Sequence, residues 1–239
     1  MNFISGFSRS CVSTCFYWPE AEVLLDCGPF ASIYGLNASH IFISHCHSDH
    51  ISGIINLLYI KYYRNKLQGI KIYTLPDICD YIKDLLSISF KKGVIQSSDI
   101  EINPLTDEGI KIKNNIYCYP LPTYHRCEST GFIFIKEKTV ELTYTSDTNS
   151  NVLTHPSVTD AKHLIIETTY LEKKDIEKAN ARGHIALPEL EDFVSKFKGE
   201  KIYPVHFLES YNTADIYNAI KNMKFNFLFN PIGLTLQGC

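Results

Sequence analysis

The chain has 239 residues, of which 45% are hydrophobic and 13% aromatic, enough for one sizeable core made of two sheets or of a sheet and helices. Its 23 basic and 26 acidic residues give a net charge of −3, and no basic run exceeds Lys91-Lys92 or Lys173-Lys174. This charge pattern argues against the broad positive surface that long nucleic acids require.

The amino-terminal residues lack a basic stretch followed by a continuous apolar stretch, and the longest apolar segment, 51–63, is short and interrupted. We therefore expect a soluble intracellular protein whose eight scattered cysteines are free thiols. Cys11 and Cys15 form a possible zinc pair, but no second pair stands near them in sequence. Cys46 alternates away from its histidine neighbours, so we expect it to be packed rather than coordinating.

Apolar patterns predict the elements in chain order. The first half contains strands over 2–6, 15–18, 22–26 and 39–44, a helix over about 51–65, a strand over 70–75 and a helix over 77–87. The second half contains strands over 110–113, 116–121, 130–136, 140–145 and 163–167, a helix over 187–196, a strand over 201–205, a helix over 213–223 and a strand pair over 227–236. Strand groups followed by helices favour an α/β fold of two packed mixed sheets with helices outside, in a single domain over 1–239.

The segment SHCHSDHISG places three histidines and an aspartate within six positions, directly after an apolar run. His45 and His47 alternate at extended spacing, so both imidazoles can point to one side, while Asp49 and His50 can serve a second ion. A single histidine is usually a satisfied core or surface residue. Crowded donors without partners would cost about 1 to 3 kcal/mol each, which a divalent ion removes. The pattern HxHxDH therefore predicts a metal site.

Further polar residues stand at or just beyond the carboxyl ends of predicted strands, where folds of stacked strands place active-site loops. They are His125, Asp147, Glu167 and His206, together with His184 just before a helix. His40, His155 and His163 do not share this placement. We interpret these three as surface residues or as supports behind the site.

With these segments, the chain resembles the metallo-β-lactamase superfamily and, within it, the ribonuclease Z-like phosphodiesterases. The matching segments are LLDCG, SHCHSDHISG, TYHRCESTGF, YTSDT, IIETTY, GHIA and PVHF, which together span nearly the whole chain. The resemblance implies an αβ/βα sandwich with a dinuclear zinc site. The implied ligands are, for one zinc, His45, His47 and His125; for the other, Asp49, His50 and His206; and, bridging both, Asp147. Histidine rather than glutamate at the second position of the pattern favours zinc over iron, with Mn²⁺ as a possible substitute.

The chemistry agrees with this assignment. Two zinc ions about 3.5 to 4 Å apart can share a hydroxide and clamp a phosphodiester, and Asp49 could orient or deprotonate the nucleophile. Glu167 and His184 match the family's carboxylate–imidazole pair, in which the carboxylate keeps the imidazole protonated as a general acid. The alternative for Glu167 is an ion pair at a strand end. The GHIA segment departs from the family's usual His-Ser-Thr.

One expected feature is missing. Ribonuclease Z enzymes carry a long tRNA-gripping arm between the segments that match His125 and Asp147, whereas here residues 126–146 are occupied by a predicted hairpin. An armless architecture is similar to the phage-encoded anti-Pycsar enzymes, which degrade cyclic mononucleotide signals. We therefore expect a phosphodiesterase for 3′,5′-cyclic nucleotides. It is expected to be a cytoplasmic homodimer, in the host cytoplasm if phage-encoded. Its pocket candidates are Tyr124, Tyr170, Tyr211 and the amides of 129–131.

Three alternatives remain open. The first is tRNA 3′ processing with the tRNA-binding surface moved elsewhere on the chain. The second is a lactone or thioester hydrolase, against which the Glu167/His184 pair argues because acyl chemistry does not need it. The third is a non-catalytic nucleotide-binding module, against which the complete ligand set argues.

Overall fold

The first half of the chain forms a six-stranded sheet. A computed structural model describes residues 3–90, 99–223 and 225. The strands are, in order across the sheet, β1 (Ser5–Arg9), β2 (Ser13–Trp18), β3 (Val23–Leu25), β4 (His40–Phe42), β5 (Ile70–Thr74) and β6 (Ile100–Pro104). Strands β1 to β3 pair antiparallel, whereas β3 to β6 pair parallel, so the sheet is mixed.

The second half forms a matching sheet. Its strands are β7 (Ile110–Lys111), β8 (Ile116–Pro122), β9 (Thr130–Lys136), β10 (Thr139–Tyr144), β11 (His163–Glu167) and β12 (Lys201–Val205). Strands β7 to β10 pair antiparallel and β10 to β12 pair parallel. Both sheets therefore change from antiparallel to parallel pairing part of the way across.

Helices connect and cover the parallel strands, as parallel pairing requires. In the described ranges they are α1 (Ala31–Tyr34), α2 (Ser48–Ile51), α3 (Ile54–Tyr63), α4 (Pro76–Ser89), α5 (Pro156–Thr159), α6 (Ile176–Arg182), α7 (Leu187–Val194) and α8 (Thr213–Ile220). Short 3₁₀ turns occupy Gly35–Asn37, Ser150–Thr154 and Lys173–Asp175. Within these ranges, none of the helices combines the length and apolar character that a membrane crossing demands.

Aromatic side chains fill the space between the two sheets. The ring of Phe42 in β4 lies 5.3 Å from that of Phe132 and 5.4 Å from that of Phe134, both in β9, and Trp18 of β2 lies 5.7 Å from Phe134. The outer faces pack against helices through separate aliphatic clusters, one with α3 and α4 and the other with α7 and α8. Because successive side chains of a strand point to opposite faces, continuously buried strands such as β3 and β11 pack on both sides of their sheets. The predicted sandwich of two mixed sheets with helices outside is confirmed.

Two predicted boundaries are wrong. The first strand runs over Ser5–Arg9 rather than 2–6, because a turn with Cys11 at φ +62° pairs Arg9 with Ser13. The helix predicted over about 51–65 is α3, which begins only at Ile54, and the short helix α2 precedes it and ends at Ile51. The Gly53 amide donates to the Cys27 carbonyl oxygen, and a Cβ at Gly53 would lie 2.0 Å from the Gly28 carbonyl oxygen. This close approach of two loops separates α2 from α3.

Other elements were not predicted. They are β6 and the short helices α1, α2, α5 and α6, whose length gives little periodicity to detect. The remaining helices and strands differ from prediction by only a few residues at their ends. The strand pair predicted over 227–236 lies outside the described residues.

Candidate metal centre

The predicted ligand residues meet at the carboxyl ends of the strands. The HxHxDH segment follows β4, His125 follows β8 and Asp147 follows β10. Glu167 ends β11, and His206 comes directly after β12. Because parallel neighbours end at the same edge of a sheet, residues far apart in sequence come together there. The structure brings together all seven predicted ligand side chains; that they hold metal stays a prediction.

Among several overlapping groups of donor atoms, two correspond to the predicted triads. Nitrogens of His45, His47 and His125 lie within 4.8 Å of one another, together with the sulfur of Cys127. A second set contains Asp49, His50 and His206, again within 4.8 Å. These are the same two triads that the sequence resemblance implies, with Cys127 added to the first.

Asp147 lies between the two sets. Its Oδ2 atom is 3.7 Å from His45 Nε2 and 4.0 Å from His125 Nε2, whereas its Oδ1 atom is 3.4 Å from both His50 Nε2 and His206 Nε2. One carboxylate therefore presents a different oxygen to each triad. This is the arrangement needed to bridge two cations.

Several atoms that could bind a metal ion are buried without a hydrogen-bond partner or lie close to another such atom. Among the described residues, His45 Nε2 and Asp147 Oδ1 are buried without a hydrogen-bond partner. His47 Nδ1 and His125 Nε2 lie 3.3 Å apart, as do His50 Nε2 and His206 Nε2. Buried polar atoms without partners cost free energy, and nitrogen and carboxylate oxygen are zinc donors. The donor set therefore fits divalent cations.

A buried carboxylate, Asp26, orients one histidine from each triad. His50 Nδ1 donates to Asp26 Oδ2 at 2.8 Å. His45 Nδ1 donates to Ser44 Oγ at 2.9 Å, and that hydroxyl donates to Asp26 Oδ2. Tyr144 also donates to Asp26, at 2.6 Å. These hydrogen bonds place a proton on Nδ1 of both histidines and direct both Nε2 atoms toward the donor cluster.

A second carboxylate, Glu167, is arranged in a similar way. His184 Nδ1 donates to Glu167 Oε1 at 2.8 Å. Thr169 donates its hydroxyl proton to Glu167 Oε2 at 2.8 Å and accepts from His206 Nδ1 at 3.0 Å. Glu167 therefore orients both the predicted general acid, His184, and the predicted ligand His206. Glu167 ends β11, and its contact with His184 is a hydrogen bond within the site, with the carboxylate buried.

The charges of the site are set by burial and by its carboxylates. Burial lowers the pKa of His45, His47 and His125, so their nitrogens are neutral and available as ligands. Burial also disfavours the charge of His50, but Asp147 and Asp26 outweigh burial and raise its pKa to about 9.

Burial alone would raise the pKa of the two site carboxylates and lower that of His184, and in each case a partner reverses the direction. For Asp49, the hydrogen bond from His206 and the charge of His50 hold the pKa below its usual range, and the histidines around Asp147 do the same there. For His184, the charge and hydrogen bond of Glu167 raise the pKa. The site thus holds ionised aspartates beside a histidine that favours protonation.

The structure corrects several minor expectations. Cys46, in the loop that carries His45 and His47, is exposed rather than packed. His163 is buried and stacked on Phe3, with ring centroids 3.8 Å apart. His155 accepts from the Ser157 amide at the start of α5.

The suggested substrate pocket is also changed. Tyr170 is buried and accepts a hydrogen bond from Arg182. The Tyr211 hydroxyl accepts from the Leu171 amide, and the Thr130 amide donates to the Ser44 carbonyl oxygen. Tyr211 is half-buried and Tyr124 is 48% exposed, so contact of either ring with a substrate stays a prediction.

Three supporting residues were missed by sequence reasoning: Asp26, Ser44 and Thr169. A signal was present, because Asp26 lies in the matching segment LLDCG and Thr169 in IIETTY. A carboxylate or hydroxyl directly after an apolar strand is the pattern that could have found them.

The fold and the clustered donors define a protein of the metallo-β-lactamase fold with candidate metal sites. Its backbone matches the metallo-β-lactamase fold protein YhfI from Bacillus subtilis with a TM-score of 0.72, at 14% identity over 94% of this chain and 93% of that one. It matches human tRNase Z, short form, with a TM-score of 0.70, at 17% identity over 95% and 96% of the two chains.

Sequence comparison defines the family within that fold. Residues 14–228 match the family model described as "Anti-Pycsar protein Apyc1", so the chain belongs to this family. It is also 26% identical to tRNase Z TRZ2, chloroplastic, of Arabidopsis thaliana, over 97% of this chain and 75% of that protein. The chain is therefore a metal-dependent hydrolase of the phosphodiesterase type, related to ribonuclease Z.

Proposed function

We propose that the protein is a dinuclear zinc phosphodiesterase that hydrolyses 3′,5′-cyclic nucleotides. The observation that carries this proposal is the position of Asp147 between two donor triads, with His184 beside it. Donor atoms of His125, Asp147 and His184 lie within 4.8 Å of one another. A phosphate held at the triads would therefore lie next to a protonated imidazole.

When bound, two divalent ions supply a hydroxide nucleophile at neutral pH and neutralise charge on the phosphate oxygens. The residues of the chain provide the proton for the leaving group. His184 gives its Nδ1 proton to the hydrogen bond with Glu167, so its Nε2 proton is the one that can be transferred. As the ester P–O bond breaks, this proton passes to the departing oxygen, and the product is a linear nucleoside monophosphate.

Asp49 has a different role. Because its pKa lies below the usual range, Asp49 is a weak base at neutral pH and suits binding and orienting rather than deprotonation. Its Oδ2 atom accepts from the Cys11 amide at 2.8 Å and lies 3.3 Å from His206 Nε2. Both contacts fix the carboxylate beside the second triad.

The choice of a small substrate rests on the segment between His125 and Asp147. Strands β9 and β10 occupy most of it, and only Glu137 and Lys138 connect them. An extended arm does not fit in this hairpin. The net charge of −3 also offers little attraction to a long polyanion. Membership of the anti-Pycsar family supports a compact cyclic nucleotide as the substrate.

Processing of tRNA 3′ ends is the second candidate, favoured by the similarity to tRNase Z of Arabidopsis thaliana. A lactone or thioester hydrolase is less well supported, because the hydrogen-bonded His184 and Glu167 have no task in acyl transfer. Homodimer formation, a cytoplasmic location and use of Mn²⁺ stay predictions.

The test is incubation of the zinc-loaded protein with a panel of 3′,5′-cyclic nucleotides, a tRNA precursor and an acyl-homoserine lactone, each at low and moderate salt. We expect turnover of a cyclic nucleotide that persists at moderate salt, because few phosphate contacts are involved. Fast cleavage of precursor tRNA that salt strongly weakens, without cyclic nucleotide turnover, would overturn the proposal in favour of the second candidate. Turnover of the lactone alone would do so in favour of acyl chemistry.

A further inference from the structure

A cysteine thiol lies within the first donor set. Cys127 is two residues beyond His125, in the loop between β8 and β9, and is half-buried. Its sulfur and one nitrogen each of His45, His47 and His125 all lie within 4.8 Å of one another. Ligand atoms about 2.0 to 2.3 Å from one zinc ion are at most about 4.6 Å apart, so small side-chain movements allow all four to share one ion.

The histidines of this set provide independent support for a ligand at the same point. His45 is fully buried, and its Nε2 atom has no hydrogen-bond partner among the described residues. His125 Nδ1 donates to the Gly183 carbonyl oxygen, so its Nε2 atom carries a lone pair, which faces His47 Nδ1 at 3.3 Å. The nitrogens of the three histidines therefore converge on one point, and that of His45 is buried there without a hydrogen-bond partner.

We propose that the Cys127 thiolate is an additional protein ligand, beside Asp147, of the ion held by His45, His47 and His125. This inference rests on the proposed dinuclear site and adds a ligand to it. On binding, the sulfur–metal bond forms and the thiol proton is released to solvent. A set of three nitrogens and one sulfur prefers zinc or cobalt to manganese, which favours oxygen ligands. The first site is thereby selective for zinc.

Cys46 provides a matched control. It lies directly between His45 and His47, closer to predicted ligands along the chain than Cys127 is, but it is exposed and is not part of any donor group in the described chain. A Cys46→Ser variant removes a thiol from the same region without removing a proposed ligand. Differences between C46S and C127S therefore report on coordination rather than on thiol content.

The experiment is absorption spectroscopy of the full chain loaded with Co²⁺, compared among the unaltered protein, C46S and C127S. A thiolate ligand gives a sulfur-to-cobalt charge-transfer band in the near ultraviolet. We expect this band in the unaltered protein and in C46S and its absence in C127S. We also expect C127S to lose at least about tenfold of its preference for zinc over manganese, since even supporting partners of ligands contribute about 10- to 100-fold to metal affinity.

X-ray absorption at the zinc edge tests the same point without a variant. The unaltered zinc protein should show sulfur scattering at about 2.3 Å from zinc. Two bound ions with nitrogen and oxygen neighbours only would overturn the role of Cys127 and leave the dinuclear site standing. Failure of the unaltered protein to bind either metal would overturn the proposed function itself. A charge-transfer band that C127S keeps would assign the sulfur to another cysteine and contradict the inference.

Discussion

Asp26 and Glu167 are two buried carboxylates with the same pattern of hydrogen bonds to histidines, but their histidines have different roles. Each accepts from one histidine directly and reaches a second histidine through a hydroxyl group, Ser44 for Asp26 and Thr169 for Glu167. In this way each carboxylate fixes which ring nitrogen carries the proton in two histidines.

The difference lies in what the oriented histidines face. Both partners of Asp26, His45 and His50, are fully buried and direct Nε2 toward the donor cluster. One partner of Glu167, His206, does the same, but the other, His184, has a side chain that is 15% exposed. The comparison teaches that one carboxylate holds ligands in place, while the other links a ligand to a group that can exchange a proton.

We expect the largest effect on activity from the loss of Asp147, the carboxylate that lies between both triads. Asp147→Ala should abolish activity, because the remaining triads lose the oxygen atoms that lie between them. The fold should largely survive, since Asp147 takes little part in core packing. Turnover and metal content would be measured together with thermal unfolding. Activity near that of the unaltered protein would show that Asp147 is not a bridge.

We expect the next largest effect from the loss of His184, the proposed proton donor. His184→Ala should lower turnover by roughly two to four orders of magnitude, the usual range for a lost general acid. Metal content should be unchanged, and the loss should shrink for a nitrophenyl phosphodiester, whose leaving group needs no proton. If His184→Ala instead releases metal, His184 is a ligand, and the contrast between the two carboxylates disappears.

A change at Asp26 tests whether this carboxylate holds the ligand histidines in place. Asp26→Asn should weaken metal affinity by about 10- to 100-fold, the usual cost of losing a partner that orients ligands. Excess zinc should restore much of the activity, because His45 and His50 remain. Metal titration of the folded variant provides the measurement, with His163→Gln as a control remote from the site. A loss of turnover that saturating zinc leaves untouched would contradict a purely positioning role.

A change at Glu167 tests whether this carboxylate keeps His184 protonated. We expect it to have the smallest effect on turnover, especially at low pH. Glu167 raises the pKa of His184, so the protonated acid persists to higher pH than an ordinary histidine would allow. Glu167→Gln removes that charge, lowers the pKa of His184 and should move the alkaline fall of the pH–rate profile to lower pH. Activity should recover as pH falls. A profile of unchanged position would show that Glu167 does not set the protonation of His184.

Much of the site could be predicted from sequence because its signals are local. His45, His47, Asp49 and His50 follow one strand within six positions, and His125, Asp147 and His206 each stand alone just beyond an apolar run. The sandwich likewise followed from groups of predicted strands that are each followed by helices. These patterns predict which side chains are buried and which loops meet at the carboxyl ends of the strands.

The rest depended on contacts that no local pattern records. The break at Gly53 exists because the loop at Gly28 approaches it, and Cys127 joins the first donor set only when the loop after β8 folds back toward His47. The role of Thr169 likewise requires Glu167 and His206 to meet. Tyr170 was expected to contact substrate, but its burial behind α6 depends on tertiary packing.

Metal content is the measurement that tests the central claim most directly. Elemental analysis of protein never exposed to chelators should find about two zinc ions per chain, one for each donor triad on either side of Asp147. Dialysis against a chelator should remove them together with activity. No more than trace amounts of transition metal in folded, active protein would contradict the account.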